Sequence, residues 1–551
     1  MDINEINKDL NLLEGDIIPI KRRTRVARNV LLDRRHLWDL PVPYVIEDSL
    51  NMDTKGVILQ AFEHFRLKSC IDFKPRDSEE YYISVRKSKG CYSYVSKLVK
   101  GGQVVSIGER CNRLGTVEHE LLHTLGFWHE QSRYDRDDHV TIVWENIAED
   151  HKANFKKLSP SAATTFNAPY DYASVMHYAK NSFSKNSGFT IMTKLPEYQN
   201  VIGQRMEMSS IDVFKLNHLY NCGASISFME HCDFSSKNMC GMSRCAKSLV
   251  GGWKRMSAAF GGPHTDHTNL GKAAGYFMHA STASGQEGDS AWLETKRMNP
   301  SRECHVQCLQ FYYFHSGSRS DQLNIWIREF KDERDCTGKL RLMGQIAGTA
   351  TFDWQLHHVP LNAARAFQVE FEIRKGAGSS SGGFSIDDIN LSETECPHRV
   401  WKIKGFEKLL TTSDYNTFLT SPRMYSPEGY AFQVMIALRE TFFGLYVRLV
   451  SGEYDARLEW PCPWRQATVT MLDQNPHIQQ QMSKQITVTT DPTVAQYDNP
   501  RKVGKRSTIN GESLYVNSAT GTKSFLSLAN LRSRDFLKGD TAVFLFALQA
   551  K

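Results

Sequence analysis

Nowhere in the 551 residues do eighteen apolar residues run together, so no membrane-spanning helix is predicted. The opening Met1-Asp2-Ile3-Asn4-Glu5-Ile6 lacks the apolar core of a signal peptide. Because the remainder reads as secreted, sequence upstream of Met1 is expected. Charge of one sign is also scarce: 67 Lys and Arg against 61 Asp and Glu leave +6. That balance argues against a nucleic-acid partner, whose basic residues would cluster on one face or helix. There is no short-period repeat and no low-complexity tract; Ala377-Gly378-Ser379-Ser380-Ser381-Gly382-Gly383 reads as a loop.

What is present describes a folded chain of several domains. The hydrophobic fraction of 41% and aromatic fraction of 11% exclude a disordered polymer, and the length exceeds what one core organises. Twelve cysteines, an even number, run from Cys70 to Cys462. They favour an oxidising, extracellular setting, although a reduced chain can carry as many thiols. The densest basic run, Lys21-Arg22-Arg23-Thr24-Arg25-Val26-Ala27-Arg28, reads as a solvated linker, a nuclear address or a protease cleavage site.

After that run, residues 29–222 mix short strands, at 82–85 and 103–107, with helices over 114–127 and 208–220. The second helix is capped by Ser209 or Ser210. Short alternating runs between Gly, Ser and Asp clusters then fill 228–396, the texture of a β-sandwich. A second β-rich segment runs from about Val400 to the end.

One constellation carries chemistry. His119 and His123 stand four residues apart, one helical turn on one face, with Glu120 between them. Gly126 lets the chain turn back so that His129 supplies a third nitrogen. Three protein ligands leave a fourth position open, which is the arrangement of a catalytic zinc. His-Glu-x-x-His-x-x-Gly-x-x-His is the metzincin signature. Ser174-Val175-Met176-His177-Tyr178 has the form of the methionine turn beneath such a zinc, with Met176 at its centre.

From Thr116 to Asp138, through that turn and Cys70-Ile71-Asp72-Phe73, the chain resembles the astacin family. Cys232-Asp233-Phe234, the run 262–268 and the run 383–389 resemble a MAM domain. Residues 425–430 and 533–537 resemble a MATH (TRAF-like) domain. In that order these are the domains of meprins, with the closer likeness to their β-type chains. The expected architecture is a partial propeptide (1–28), an α+β metzincin-type catalytic domain (29–222), then two all-β sandwiches, MAM (227–396) and MATH (397–551).

The resemblance implies a latent zinc endopeptidase acting on proteins and peptides. Glu120 would be the general base and Tyr178 a switchable ligand and oxyanion donor. Asp16, in Leu13-Glu14-Gly15-Asp16, would plug the zinc until a trypsin-like protease or proprotein convertase cuts between Arg28 and Asn29. Glu130 would then hold the new amino terminus. Substrate would pair with a strand near Cys91 to Tyr94. An acidic residue after the cut would meet Arg205, while His151 occupies a second position where a guanidinium is expected.

Expected disulfides join Cys70 to Cys222 and Cys91 to Cys111, and include Cys232 and Cys396; the pairing of Cys240, Cys245, Cys304, Cys308, Cys336 and Cys462 stays open. Asn390-Leu391-Ser392 is a glycosylation sequon. The cysteine that bridges meprin subunits has no counterpart in Asn269-Leu270-Gly271-Lys272-Ala273-Ala274-Gly275, so the expected homodimer carries no assured covalent link. The location implied is extracellular, secreted or tethered by a region beyond this chain. Two rival readings remain: a scaffold with a vestigial protease domain, and an astacin of matrix or hatching biology.

Overall fold

The computed structural model describes residues 2–19, 34–160, 164–247 and 252–550, with backbone only at 34 and 245–247. Arg28, Asn29 and the basic run therefore lie outside the described residues. The chain forms two compact units. One comprises Met1–Ser225, His398–Asp473 and Met482–Lys551; the other comprises Ile226–Pro397 and Gln474–Gln481.

The first unit opens with a four-residue helix α1 (Ile3–Ile6), capped by the Asp2 carboxylate on Ile3 N. A five-stranded sheet follows from β1 (Val42–Ile46), β2 (Phe73–Pro75), β3 (Ile83–Arg86), β4 (Cys91–Ser93) and β5 (Gln103–Ile107). Its order is β2-β1-β3-β5-β4, parallel except for the antiparallel edge pair β4–β5. The helix α2 (Met52–Lys68) begins where Asn51 accepts from Thr54 N, as a short polar side chain does at a helix start. Its apolar face, including Val57, Ile58, Phe62 and Phe65, is buried with Val85, Val105 and Leu121 in one core.

The metal-motif helix α3 (Leu114–Thr124) ends three residues before the predicted Phe127. Gly126, at φ +116°, is the reason, because that left-handed conformation breaks the helix and favours glycine. The next helix, α4 (Ser210–Leu219), starts in a reciprocal capping box of Ser209 and Asp212.

The carboxy-terminal part of this unit is a sandwich. One sheet contains Arg399–Lys404, Thr541–Ala550, Arg465–Met471 and Lys484–Thr489; the other contains Phe418–Thr420, Ala431–Ala437, Phe442–Leu449 and Thr520–Ser527. Phe406, Phe443, Leu445 and Phe544 fill the space between. This sandwich touches α2 directly: Gln60 donates to Thr468 Oγ1 at 2.8 Å and accepts from Gln485 at 2.6 Å, and Thr489 donates to Asp53 at 3.1 Å.

The second unit is another two-sheet sandwich around Trp253, Phe311, Ile325, Phe371 and Ile386. Its longest strand, Gly383–Ser392, is buried throughout. Cys232 and Cys396 are both bridged, as expected, and their partners, which the sequence left open, are Cys240 and Cys308, so the described residues of this unit hold two disulfides. The structure corrects one expectation. Asn390 is 1% exposed; its amide donates to Pro476 O at 2.7 Å and accepts from Ile478 N at 3.0 Å. A sequon whose nitrogen is spent inside the fold does not present it to a glycan.

In the first unit Cys70 pairs with Cys222 and Cys91 with Cys111. Cys304 and Cys336 are exposed and unbridged, and Cys462 is buried and unbridged. The Cys70–Cys222 bridge closes a separation of 152 residues, and loops of that size restrict the unfolded chain most. Replacing both cysteines by alanine is expected to cost about 4 kcal/mol, read as a lower urea midpoint with a steeper slope, because the unfolded chain then exposes more surface.

Candidate metal centre

On α3, His119 and His123 face the same way, and the break at Gly126 returns His129 to them. The ring centroids of His119 and His123, and of His123 and His129, are each 4.7 Å apart. Each outer nitrogen is oriented by a partner: His119 Nδ1 lies 2.8 Å from Val175 O, and His123 Nδ1 2.8 Å from Phe127 O. For His129 the partner is Glu14 Oε2 at 2.7 Å. Such outer contacts fix ring orientation and tautomer in metal sites.

The three Nε2 atoms converge on Asp16. His119 and His129 lie 3.0 and 3.1 Å from its Oδ2, and His123 lies 3.3 Å from its Oδ1. One ligand atom from each of these four buried residues falls within 4.8 Å of all the others. His123 Nε2, Asp16 Oδ1 and both carboxylate oxygens of Glu120 are buried without a hydrogen-bond partner. Three imidazoles plus a carboxylate, with orphaned atoms among them, fit a zinc ion, whose sites take nitrogen and oxygen donors.

Burial alone would raise the Asp16 carboxyl. The His129 and His123 charges and the contact with His119 outweigh it and hold Asp16 well below the usual range. Glu120 moves the other way: burial and then the Asp16 charge push it well above a normal carboxyl. The two acids therefore have opposite environments a few ångströms apart.

Asp16 is delivered by backbone pairing. Ser93 N donates to Asp16 O at 3.0 Å and Ile18 N to Ser93 O at 2.8 Å, a parallel bridge to the free edge of β4. Gly15 sits at φ +85°, and a Cβ there would fall 2.5 Å from Asn4 Oδ1 and 2.6 Å from Phe183 Cζ. Asp16, Ile17 and Ile18 thus occupy the strand edge expected to receive substrate. Tyr94, just beyond β4, is half-buried.

Tyr178 is fully buried, its ring 4.7 Å from that of His129, and its hydroxyl donates to Glu14 O. Met176 is buried in the core with Leu121 and Leu125, and its carbonyl accepts from Glu130 N. Glu130 contacts Lys215 at 2.6 Å and Arg133 at 3.0 Å, and these cations outweigh burial to lower its carboxyl. Arg205 is nearly buried and pairs with Asp2. His151 is not part of that pair; its ring packs 4.6 Å from that of Phe183.

Three contributors have no place in the zinc signature. Glu14 orients His129, Asp2 meets Arg205, and Asp212 holds the methionine turn by accepting from Ser174 Oγ at 2.6 Å and Val175 N at 2.9 Å. Asp212 is legible as the acidic member of a capping box. The other two depend on tertiary contacts.

The astacin peptidase family profile matches residues 31–221, the MAM domain (meprin/A5/mu) profile residues 232–397, and the MATH domain profile residues 398–547. The chain is 46% identical over 560 residues to meprin A subunit beta of Rattus norvegicus, covering 100% of this chain and 78% of that one. Identity to meprin A subunit beta of Homo sapiens is 46% over 561 residues, covering 100% and 79%. Meprin A subunit alpha of Mus musculus is 40% identical over 565 residues, covering 98% of this chain and 74% of that one.

Proposed function

Because the chain belongs to the astacin peptidases and carries the meprin series of domains, it is a zinc metalloendopeptidase, and from that premise we propose that it is made latent by residues 2–19 and released by a cut after Arg28. The observation that carries this reading is Asp16, buried on all three histidines.

His119, His123 and His129 hold the zinc, which when bound supplies Lewis acidity and brings the pKa of its water toward ~7. Glu120, with both oxygens free, accepts a proton and passes it to the leaving amine. The Tyr178 hydroxyl, freed from Glu14 O once the prosegment leaves, donates to the developing oxyanion. Ser93 N and O, freed from Asp16 and Ile18, pair with an extended substrate. Glu130 exchanges a cation partner for the new amino terminus at Asn29. Arg205 favours an acidic residue after the cut, with His151 at the second position, where a guanidinium is expected.

The same reading places the protein outside the cell, secreted or tethered, as a homodimer. The four disulfides among the described residues support an oxidising compartment. Among the described residues no helix is long and apolar enough to cross a membrane.

Trypsin treatment followed by assay on an acidic peptide, with and without a zinc chelator, tests the core of this. Activity is expected only after trypsin and only without chelator; activity independent of both overturns it. A peptide library run on the activated protein is expected to enrich Asp and Glu just after the cut. An even distribution there removes the role given to Arg205.

A further inference from the structure

The first unit encloses a second cavity, of about 300 Å³, that none of the zinc ligands lines. One wall is the start of α3, with Asn112 and Arg113, and the first turns of α2, with Asp53. The other wall comes from the strands Lys484–Thr489 and Thr520–Ser527. Each of these strands is the edge of its sheet, and among the described residues no further strand pairs with either. Edge strands leave main-chain donors without a ladder partner, so this wall is polar in its backbone as well as its side chains.

The charges around the cavity do not cancel. The Arg113 guanidinium has no hydrogen bond or ion pair among the described residues, and burial with no opposing carboxylate lowers its pKa. Lys484 gives one of its three N–H groups to Arg205 O. Burial and then the Arg113 charge push its amine down to about 7, with Arg205 adding to the repulsion. Glu207 and Glu118 attract Lys484, but Lys68 holds Glu207 at 2.8 Å and His64 lies 3.2 Å from Glu118. The Asp53 carboxylate accepts from Asn112 at 2.8 Å and Thr489 at 3.1 Å. On the sandwich side, the hydroxyls of Thr522 and Ser524 make no hydrogen bond among the described residues.

We propose that this cavity binds a small dianion, a phosphate or a dicarboxylate, between Arg113 and Lys484, with the Thr522 and Ser524 hydroxyls as further donors. A gap left by imperfect packing is lined by groups that are apolar or already paired. Here two cations share one cavity, and neither has a carboxylate of its own. An apolar ligand would leave both without a partner, and a cation would add a third like charge. A carboxylate or phosphate presents the paired oxygens that a guanidinium fork matches, and its charge of −2 answers two cations. The volume is that of a small-molecule site. Lys484 keeps its bond to Arg205 O and offers its two remaining N–H groups to the anion. The occupied cavity and the Arg205 backbone therefore share one anchor on the sandwich. This site does not depend on how the chain is activated.

The test uses the full uncut chain loaded with zinc, at fixed ionic strength so that screening cannot imitate binding. Inorganic phosphate and succinate are titrated separately by calorimetry, with chloride as the control anion. At least one is expected to bind saturably, one per chain, with a dissociation constant below about 1 mM, and to raise the thermal midpoint as it saturates. Which of the two binds more tightly assigns the ligand to the phosphates or the dicarboxylates. Arg113→Gln is expected to weaken that binding about tenfold, the loss of one charge-assisted contact. Its midpoint without anion is expected to match the parent's, because the guanidinium has no contact to lose. Ser524→Ala is expected to weaken binding about threefold, and it decides the matter if the arginine variant proves less stable. Unchanged affinity in a stable Arg113→Gln chain, or in Ser524→Ala where that variant decides, overturns the inference. So does the absence of saturable binding by both anions. Binding that disappears when a chelator removes the zinc belongs to the metal centre and overturns it as well.

Discussion

Asn in place of Asp16 is expected to yield a chain that cleaves peptide before any trypsin is added. The side chain keeps its shape, so the backbone route is preserved: Ser93 still pairs with residues 16 and 18, and Gly15 still passes beneath Phe183. What changes is charge. The three histidines hold Asp16 as an anion against a burial that would otherwise protonate it. A neutral amide competes poorly with water or substrate for the same centre. Losing charge-assisted contacts of this kind costs about 3 kcal/mol, which corresponds to roughly 100-fold more activity in the uncut protein. The measurement is turnover by protein whose amino terminus mass spectrometry shows to be intact, with and without chelator. An uncut variant as silent as the parent would mean that residues 2–19 block the cleft by bulk alone.

Glu120→Gln is expected to remove turnover after trypsin by about 10²–10⁴-fold, the range for a lost general base. It should do so without loss of zinc, because the three imidazoles and their outer partners at Val175 and Phe127 are untouched. Stability is a second readout. The carboxylate is fully buried with both oxygens unpaired, and burial with the Asp16 charge raises it strongly. Replacing an acid that the fold disfavours as a charge with a neutral isostere should leave the thermal midpoint level or higher. Zinc content by elemental analysis, the midpoint and kcat together decide the point. Retention of more than about a tenth of the parent's kcat would assign the proton transfer to another group.

Much of this site could be read directly from the chain because its parts are local. His119, Glu120 and His123 share a helical turn, and Gly126 marks its end at a fixed distance, so spacing alone carries the geometry. Ser209 and Asp212 likewise announce α4 through a contact three residues long. The unread parts are all long-range. Glu14 and His129 are 115 positions apart, and the Tyr178 hydroxyl finds Glu14 O across 164. No periodicity encodes either. Cys232 bridges the nearby Cys240 and leaves Cys308 to Cys396, pairings that composition does not encode. Asn390 reads as a surface sequon because the segment 474–481 that covers it lies far downstream. The packing of His151 on Phe183, 32 positions on, is likewise encoded by no local pattern.

Gln60 on α2 and the carbonyl of Arg205 both await partners from strands 465–471 and 484–489. During synthesis those strands emerge only after all of residues 226–397, a delay of roughly 10–30 seconds at ordinary translation rates. For that interval the nascent catalytic half has its zinc motif but not the lysine that holds the Arg205 carbonyl. A chaperone therefore meets a half-built enzyme, whose first internal brace is the amino-terminal segment, docked through Ile3 and Asn7. Premature termination within 226–397 would strand the protein at that stage, with an intact signature and no finished cleft.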